Sequence, residues 1–271
     1  MIRAAVVGVT GRMGCALVRA AAESSDIRLT GAVASATHSA IGRDAGELAG
    51  VAGLGVAVTK DLAAAAASAD VVIDFSKANA TAANLAVCRS ARKPLLIGTT
   101  GFATELAQDF DAAARDIPLL VAPNTSVAVT LLIEFVRQAA QSLPATFDIE
   151  VIEAHHRMKR DAPSGTALAL GNAAAAGRRG PDHPVTPQEI ALPRTGPRRE
   201  GEIGFAVVRG GDIVGEHTVL FAGAGERMSL SHSATDRAVF ARGALQAAHW
   251  LATRSPGRYF MRDILGYKSS T

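Results

Sequence analysis

The sequence predicts an α/β protein: a doubly wound parallel sheet joined to a smaller α+β domain with a mixed or antiparallel sheet. Three observations predict it. Short apolar runs alternate with helix-period stretches over roughly the first 125 residues. A glycine-rich turn follows the first apolar run. After that region a long amphipathic stretch leads into strand-like runs punctuated by glycine.

The elements follow in order. "IRAAVVGV" (2–9) reads as a buried strand and "GRMGCALVRAAAES" as a turn and helix. "IRLTGAVAS" (27–35) is a second strand and "GVAVTK" (55–60) a short third. "LAAAAASA" is helix and "DVVIDFS" (70–76) strand. "NATAANLAVCRSAR" is helix, "PLLIGTT" (94–100) strand, "ATELAQDFDAAARD" helix and "IPLLVAPN" (117–124) strand. Next, "SVAVTLLIEFVRQAAQSLP" is a long amphipathic helix. "FDIEVIEAHH" (147–156) alternates like a strand with one exposed face. Residues 204–234 read as successive strands with glycine turns, expected to pair antiparallel. "DRAVFARGALQAAHWLATR" (236–254) returns to helix and is expected to pack back on the first domain. One domain is therefore expected over 1–126, completed by 236–271, and a second over 127–235. The Pro/Gly/Arg-rich stretch from about 178 to 202 is expected as a long surface loop.

Composition narrows the function classes. The 271 residues are 48% hydrophobic and 20% charged, with a net charge of +3. That is ordinary globular composition without the basic excess of a nucleic-acid binder. The arginines of "GRRG" (177–180) and "PRTGPRREG" (193–201) lack interleaved aromatics, so a single-strand stacking platform is not expected. Cys15 and Cys88 match no metal-ligand spacing and make no disulfide framework. No signal-peptide pattern opens the chain, and no run of 18 or more residues is consistently apolar. A cytoplasmic protein without a membrane partner is expected.

"VVGVTGRMG" places Gly8, Gly11 and Gly14 between the first strand and first helix. The spacing is a variant of the dinucleotide fingerprint, and the sheet is accordingly expected to be Rossmann-like. The first glycine permits a tight turn, the next lets backbone approach a pyrophosphate, and the last lets helix pack on strand. The phosphates are expected on the helix N-terminus, with Arg12 adding positive charge. NAD enzymes usually hold the ribose with an acid ending the second strand. Here Ser35 takes that place. A carboxylate would repel a 2′-phosphate, so its absence removes one barrier to NADPH, which is expected to serve at least as well as NADH. "IGTTGF" (97–102) and "VAPNTS" (121–126) follow strands of the same sheet, at the edge where such sheets bind ligands. Thr99, Thr100 and Asn124 there suit ribose and a carboxamide.

The densest chemistry lies in "EVIEAHHRMKRDAPSGTAL" (150–168). A strand delivers the chain to His155 and His156. Pro163 interrupts any helix through Lys159, so this stretch is expected as loop. Ser164 reads as an N-cap, with Gly165 and Thr166 in the first turn of the next helix. Lys159 and that helix start suit a carboxylate or phosphate. Histidine is the natural proton donor near neutral pH, and a nearby lysine is expected to depress its pKa. No metal is expected, because adjacent histidines point different ways and Lys159 repels a cation. A purely structural reading has the histidines capping a strand end.

These 18 residues resemble the signature of the 4-hydroxy-tetrahydrodipicolinate reductase (dihydrodipicolinate reductase) family of bacterial lysine and diaminopimelate synthesis. The resemblance spans nearly the whole chain, through "GVTGRMG", "DAGELAG" (44–50), "DFS" (74–76), "GTTG" (98–101), "APNTS" (122–126), "GEHTVLF" (215–221) and "SHSATDRAVFARGAL" (231–245). It implies an oxidoreductase using NADPH, NADH or both, with His155 as proton donor and Lys159 as a second catalytic group. It implies that His156, Gly165 and Thr166 bind a dicarboxylate substrate. It implies dinucleotide contacts from Gly8, Val9, Thr10, Gly11, Arg12 and Met13, from Gly98, Thr99 and Thr100, and from Ala122, Pro123, Asn124 and Thr125. The family often has an acid at Ser35 and an arginine at Ala36. Its members are commonly homotetramers joined through the second domain's sheets, which implies a homotetramer here.

Two other function classes are weighed against this one. Another nicotinamide-dependent enzyme, such as an aldehyde or homoserine dehydrogenase, shares the architecture. The acylating kind needs a nucleophilic cysteine, and neither cysteine sits suitably. A Tyr-x-x-x-Lys reductase is excluded, since neither Tyr259 nor Tyr267 has a lysine four residues on. A non-catalytic dinucleotide sensor has no need of the His-His-Lys segment.

Overall fold

The computed structural model describes residues 1–102, 106–180 and 196–267. Its chain divides into two compact units, Met1–Ser126 with Arg237–Thr271, and Val127–Asp236.

The first unit is built on seven parallel strands: β1 (Ile2–Val7), β2 (Ile27–Val33), β3 (Val58–Thr59), β4 (Val71–Asp74), β5 (Leu95–Ile97), β6 (Pro118–Val121) and, late in the chain, β11 (Gly257–Tyr259). Their order is β11-β6-β5-β4-β1-β2-β3. The chain winds outward from β1 to one edge, then returns to β4 and winds to the other, so the order reverses between β1 and β4. Successive side chains of β1 serve opposite faces. Ala4 and Val6 join a core with α1 (Arg12–Ala22), while Ala5 and Val7 join another with α3 (Leu62–Ala67), α4 (Thr81–Ser90) and α5 (Leu106–Ala114). Both faces are covered, which is why these strands read as continuous apolar runs. The last long helix, Ala238–Leu251, buries Ala241, Ala244, Ala247 and Ala248 in the α1 face. Alanine richness here permits close helix-on-sheet packing.

Between β2 and β3 lies α2 (Ala45–Ala49), organised by one side chain. Asp44 Oδ1 accepts from the N–H groups of Gly46, Glu47 and Leu54, and its Oδ2 accepts from Val56. Those bonds, led by the one from Leu54, hold its carboxyl below the usual range. The "DAGELAG" motif is thus a turn built around a carboxylate.

The second unit holds β7 (Asp148–His155), β8 (Ile203–Arg209), β9 (Gly215–Ala222) and β10 (Arg227–Ala234) in the order β10-β9-β7-β8. Helices α6 (Val127–Ser142) and α7 (Gly165–Arg179) cover one face with Leu132, Val136, Leu170 and Ala174. The sheet is mixed. The expectation that β8 and β9 form successive antiparallel strands is corrected: β8 runs parallel to β7, and β9 and β10 supply the antiparallel pairs. A parallel partner requires a crossover, and α7 is that crossover. Alternation within β8 cannot say which strand it joins. The other sheet face carries Ile152, 37% exposed, Val208, 50% exposed, and a Thr218–Ser231 hydroxyl pair.

Most of the stretch expected as a long surface loop, residues 181–195, lies outside the described residues, as do 103–105 at the start of an expected helix. Among the described residues no helix is long and apolar enough to cross a membrane.

Candidate active site

In the first unit, β1, β4, β5 and β6 run parallel, so their C-terminal ends share one edge. The glycine turn leaves β1 there. Gly8 has φ +79°, and a Cβ on it would lie 2.6 Å from the Phe75 carbonyl oxygen. A Cβ on Gly14 would lie 2.2 Å from the Gly8 carbonyl oxygen. Both contacts are to backbone, so neither position tolerates a side chain. Gly11 is the N-cap of α1 without a side-chain cap, and the helix carries no acid in its first turn. Its opening N–H groups are therefore left for an anion. The exposed Arg12 adds charge, while Val9 is fully buried and belongs to the core. This cradle fits a dinucleotide pyrophosphate.

The adjoining loops are held from within. A Cβ on Gly98 would lie 2.1 Å from the Phe75 ring. Thr99 is buried, its hydroxyl donating to the carbonyls of Asp74 and Ser76 at 3.4 Å each. Thr125 is buried too, donating to the Phe240 carbonyl at 2.7 Å. The Asn124 carboxamide oxygen accepts from Ser126 N–H at 2.8 Å, and Ala122 is buried. Thr100 and Pro123 are exposed at the loop tips. Asp74, which the sequence did not single out, is fully buried and accepts from Ser76 N–H and Asn84. Beyond β2, Ser35 is exposed. The nearby Asp44 carboxylate is bound to four backbone N–H groups, so it offers no substitute for the missing ribose acid.

In the second unit, β7 carries Glu153 and His155 on its helix-covered face, two residues apart. Glu153 is 1% exposed and His155 8%. His155 Nδ1 lies 2.6 Å from Glu153 Oε2. Arg209, from β8, donates to both Glu153 oxygens at 2.7 and 2.8 Å. The Ser164 N–H donates to Oε1 at 2.9 Å. Burial alone raises the Glu153 carboxyl, but the bonds from Arg209, His155 and Ser164 outweigh it, and its pKa is lowered. His155 is lowered chiefly by burial, against Glu153, which raises it. Lys159 lowers it too, as expected, though as a lesser cause than burial. Lys159 Nζ is itself paired with Asp161 at 2.8 Å.

Ser164 caps α7, its Oγ accepting from Ala167 N–H at 3.1 Å. Gly165, beside it, has nothing within 4 Å of where a Cβ would stand. His156 is half-buried beyond the end of β7, and Thr166 is half-buried in the first turn of α7. Facing His155 from β9 are Gly215 and His217. The His155 and His217 rings meet edge-on, 5.1 Å between centroids. His217 Nε2 lies 3.3 Å from Ser164 Oγ, and its Nδ1 has no partner among the described residues. Burial pushes His217 down to about 4. Sequence reasoning did not single out Glu153, Arg209 or His217. Strand alternation two residues before His155 was the available signal for Glu153. Arg209 and His217 reach the site only through sheet pairing.

Among the described residues no group of three or more His, Cys, Asp or Glu could hold a metal ion. Cys88 is buried and its thiol is pushed up to about 12, chiefly by burial, which leaves it no nucleophile.

Comparison with known proteins matches residues 2–125 to the family model "Dihydrodipicolinate reductase, N-terminus" and residues 128–265 to "Dihydrodipicolinate reductase, C-terminus". The chain belongs to the dihydrodipicolinate reductase family. Its relatives include a 4-hydroxy-tetrahydrodipicolinate reductase of Alkalilimnicola ehrlichii, 50% identical over 97% of this chain and 98% of that one. Another, of the same name, from Anaeromyxobacter sp., is 48% identical over all of both chains. Among solved structures, a dipicolinate-bound dihydrodipicolinate reductase from Paenisporosarcina sp. TG-14 superposes with a TM-score of 0.74. It is 28% identical, covering 96% of this chain and 97% of that one.

Proposed function

We infer that this chain is an NAD(P)H-dependent oxidoreductase that reduces 4-hydroxy-tetrahydrodipicolinate to tetrahydrodipicolinate in lysine and diaminopimelate biosynthesis. The observation that carries this reading is the full-length match to both halves of the family, on a chain holding a dinucleotide cradle and a buried histidine–carboxylate pair. Gly8–Met13 would hold the pyrophosphate of the dinucleotide, whose reduced nicotinamide would supply a hydride when bound. The loops at Gly98–Thr100 and Ala122–Thr125 shape the rest of its site, largely through backbone.

The substrate is a ring dicarboxylate, as is the dipicolinate held by the Paenisporosarcina protein. Loss of its hydroxyl as water gives a conjugated imine. Hydride addition to that system leaves an enamine, and His155 protonates the carbon beside the imine position. Lys159 holds a ring carboxylate with His156 and the backbone of Gly165 and Thr166. The exposed Asp161 now paired with Lys159 exchanges for that carboxylate. Fixing the ring in this way lowers the entropic part of the barrier by several kcal/mol.

Two finer points belong to the same reading. The second unit is the substrate-binding and oligomerisation domain, and the sheet face bearing Ile152 and Val208 joins subunits of a homotetramer in the cytoplasm. Sedimentation velocity at micromolar concentration checks the assembly, and a monomer would end that part of the reading. Oxidation of NADH and of NADPH, followed separately with freshly made synthase product, checks the activity. Turnover is expected with both, with kcat/KM for NADPH at least equal to that for NADH, because no carboxylate stands at Ser35. Cofactor binding without turnover would favour a sensor instead.

A further inference from the structure

We propose that Glu153 is the positioning residue of the reaction: it holds His155 by Nδ1, so that Nε2 alone presents the proton, and it ties that donor to the helix start that grips the substrate. The inference rests on His155 being the proton donor.

The geometry starts from the carboxylate. Glu153 is 1% exposed and bound by Arg209 through both oxygens. A carboxylate so held is ionised and can only accept hydrogen bonds. The 2.6 Å contact therefore requires the proton on His155 Nδ1. In the neutral ring Nε2 then carries a lone pair, and in the charged ring Nε2–H is the one proton available to a substrate. A carboxylate partner that fixes tautomer and ring orientation in this way acts through the histidine without touching the reacting atoms.

Gly215 supplies an independent observation. A Cβ at this position would lie 3.1 Å from His155 Nε2 and 3.6 Å from His217 Cε1. Gly215 opens β9 and is not among the positive-φ glycines, so its backbone does not demand glycine. The missing side chain keeps the approach to Nε2 open. The third observation is the Ser164 N–H, which donates to Glu153 Oε1 while its hydroxyl caps α7. One side chain thus fixes both the proton donor and the origin of the helix whose first turn holds the carboxylate.

The groups around His155 are Glu153 on its own strand, Arg209 on β8, and His217 on β9. Lys159, itself paired with Asp161, acts on it from the loop, and Ser164 at the cap of α7 reaches it through Glu153. His232 on β10 stands opposite His217 in register. Of the groups that act on its charge, Glu153 favours the imidazolium, while burial, Lys159 and Arg209 disfavour it. Removing the Glu153 charge should therefore pull the loss of activity at high pH toward lower pH.

The test pairs Glu153→Gln kinetics with nitrogen-15 imidazole NMR of the native enzyme. In Glu153→Gln, kcat is expected to fall roughly ten- to a hundredfold, as orienting partners typically cost. KM for the substrate should stay within about twofold, because the Gln carbonyl oxygen can still accept from Ser164 N–H and keep the start of α7 in place, and the alkaline limb should move to lower pH. Glu153→Asp should recover part of kcat. In the native protein the neutral His155 ring is expected to carry its proton on Nδ1, a measurement that needs no variant and so survives a poorly folding Glu153→Gln. A proton on Nε2 in the neutral ring, or a Glu153→Gln enzyme with native kcat and pH profile, would overturn the proposal. His155→Ala separates the two readings: if it keeps native kcat while the NMR signature stands, the donor assignment fails and the Glu153–His155 pairing does not.

Discussion

Burial holds the His217 imidazole at about 4, well under the roughly 6.5 of an exposed histidine. The native ring is therefore neutral where the unfolded chain is protonated. The unfolded state binds the extra proton once pH drops below about 6.5, and the native state catches up only near the depressed value. Stability contributed by this residue is thus full at neutral pH and lost as pH falls through that window, by about 3 kcal/mol in all. Glu153 acts in the same sense lower down, since its lowered carboxyl is lost as acid protonates it. Urea unfolding at pH 7.5 and pH 5, for the native chain and His217→Gln, checks this. The native midpoint should drop more on acidification than the variant's. Equal drops would mean that His217 is not held neutral by its surroundings.

Helix α7 joins the fold to the chemistry. Its N-cap Ser164 is 2% exposed and accepts from Ala167 N–H, so replacement by alanine leaves a buried donor without that partner. Ser164→Ala is expected to cost roughly 1 kcal/mol in urea unfolding. On the proposed substrate site it should also raise KM more than it lowers kcat, because the first turn of α7 would grip the substrate while His155 is untouched. An unchanged KM would separate the cap from substrate binding. Helix α1 places its demands on backbone instead: the contacts that Cβ atoms would make at Gly8 and Gly14 are with main chain, so the cradle exists only with glycine at both positions.

At the scale of the molecule, the parts of the fold that obey short-range rules were legible in sequence. Both faces of the parallel sheet are buried, so its strands appear as apolar runs, and the Gly8–Gly11–Gly14 spacing marks the turn between β1 and α1. Ser164 was readable as a cap because capping is local. What escaped is non-local. The pairing of β8 with β7 depends on a crossover, and alternation carries no record of the partner strand. Arg209 lies 56 residues from Glu153, yet it makes a buried carboxylate tenable at that position. A glutamate on the inner face of a strand could not be interpreted until its cation was placed. His217 likewise looks like an ordinary strand residue until β9 settles against β7.

The central claim is that His155 supplies the proton to a ring reduced by hydride. The most direct measurement is kcat of His155→Ala with the freshly formed dehydrated or hydroxylated ring dicarboxylate and saturating NADPH. A fall of roughly 10²-fold or more, with KM little changed, is the predicted result. A His155→Ala enzyme that turns over at the native rate would contradict it.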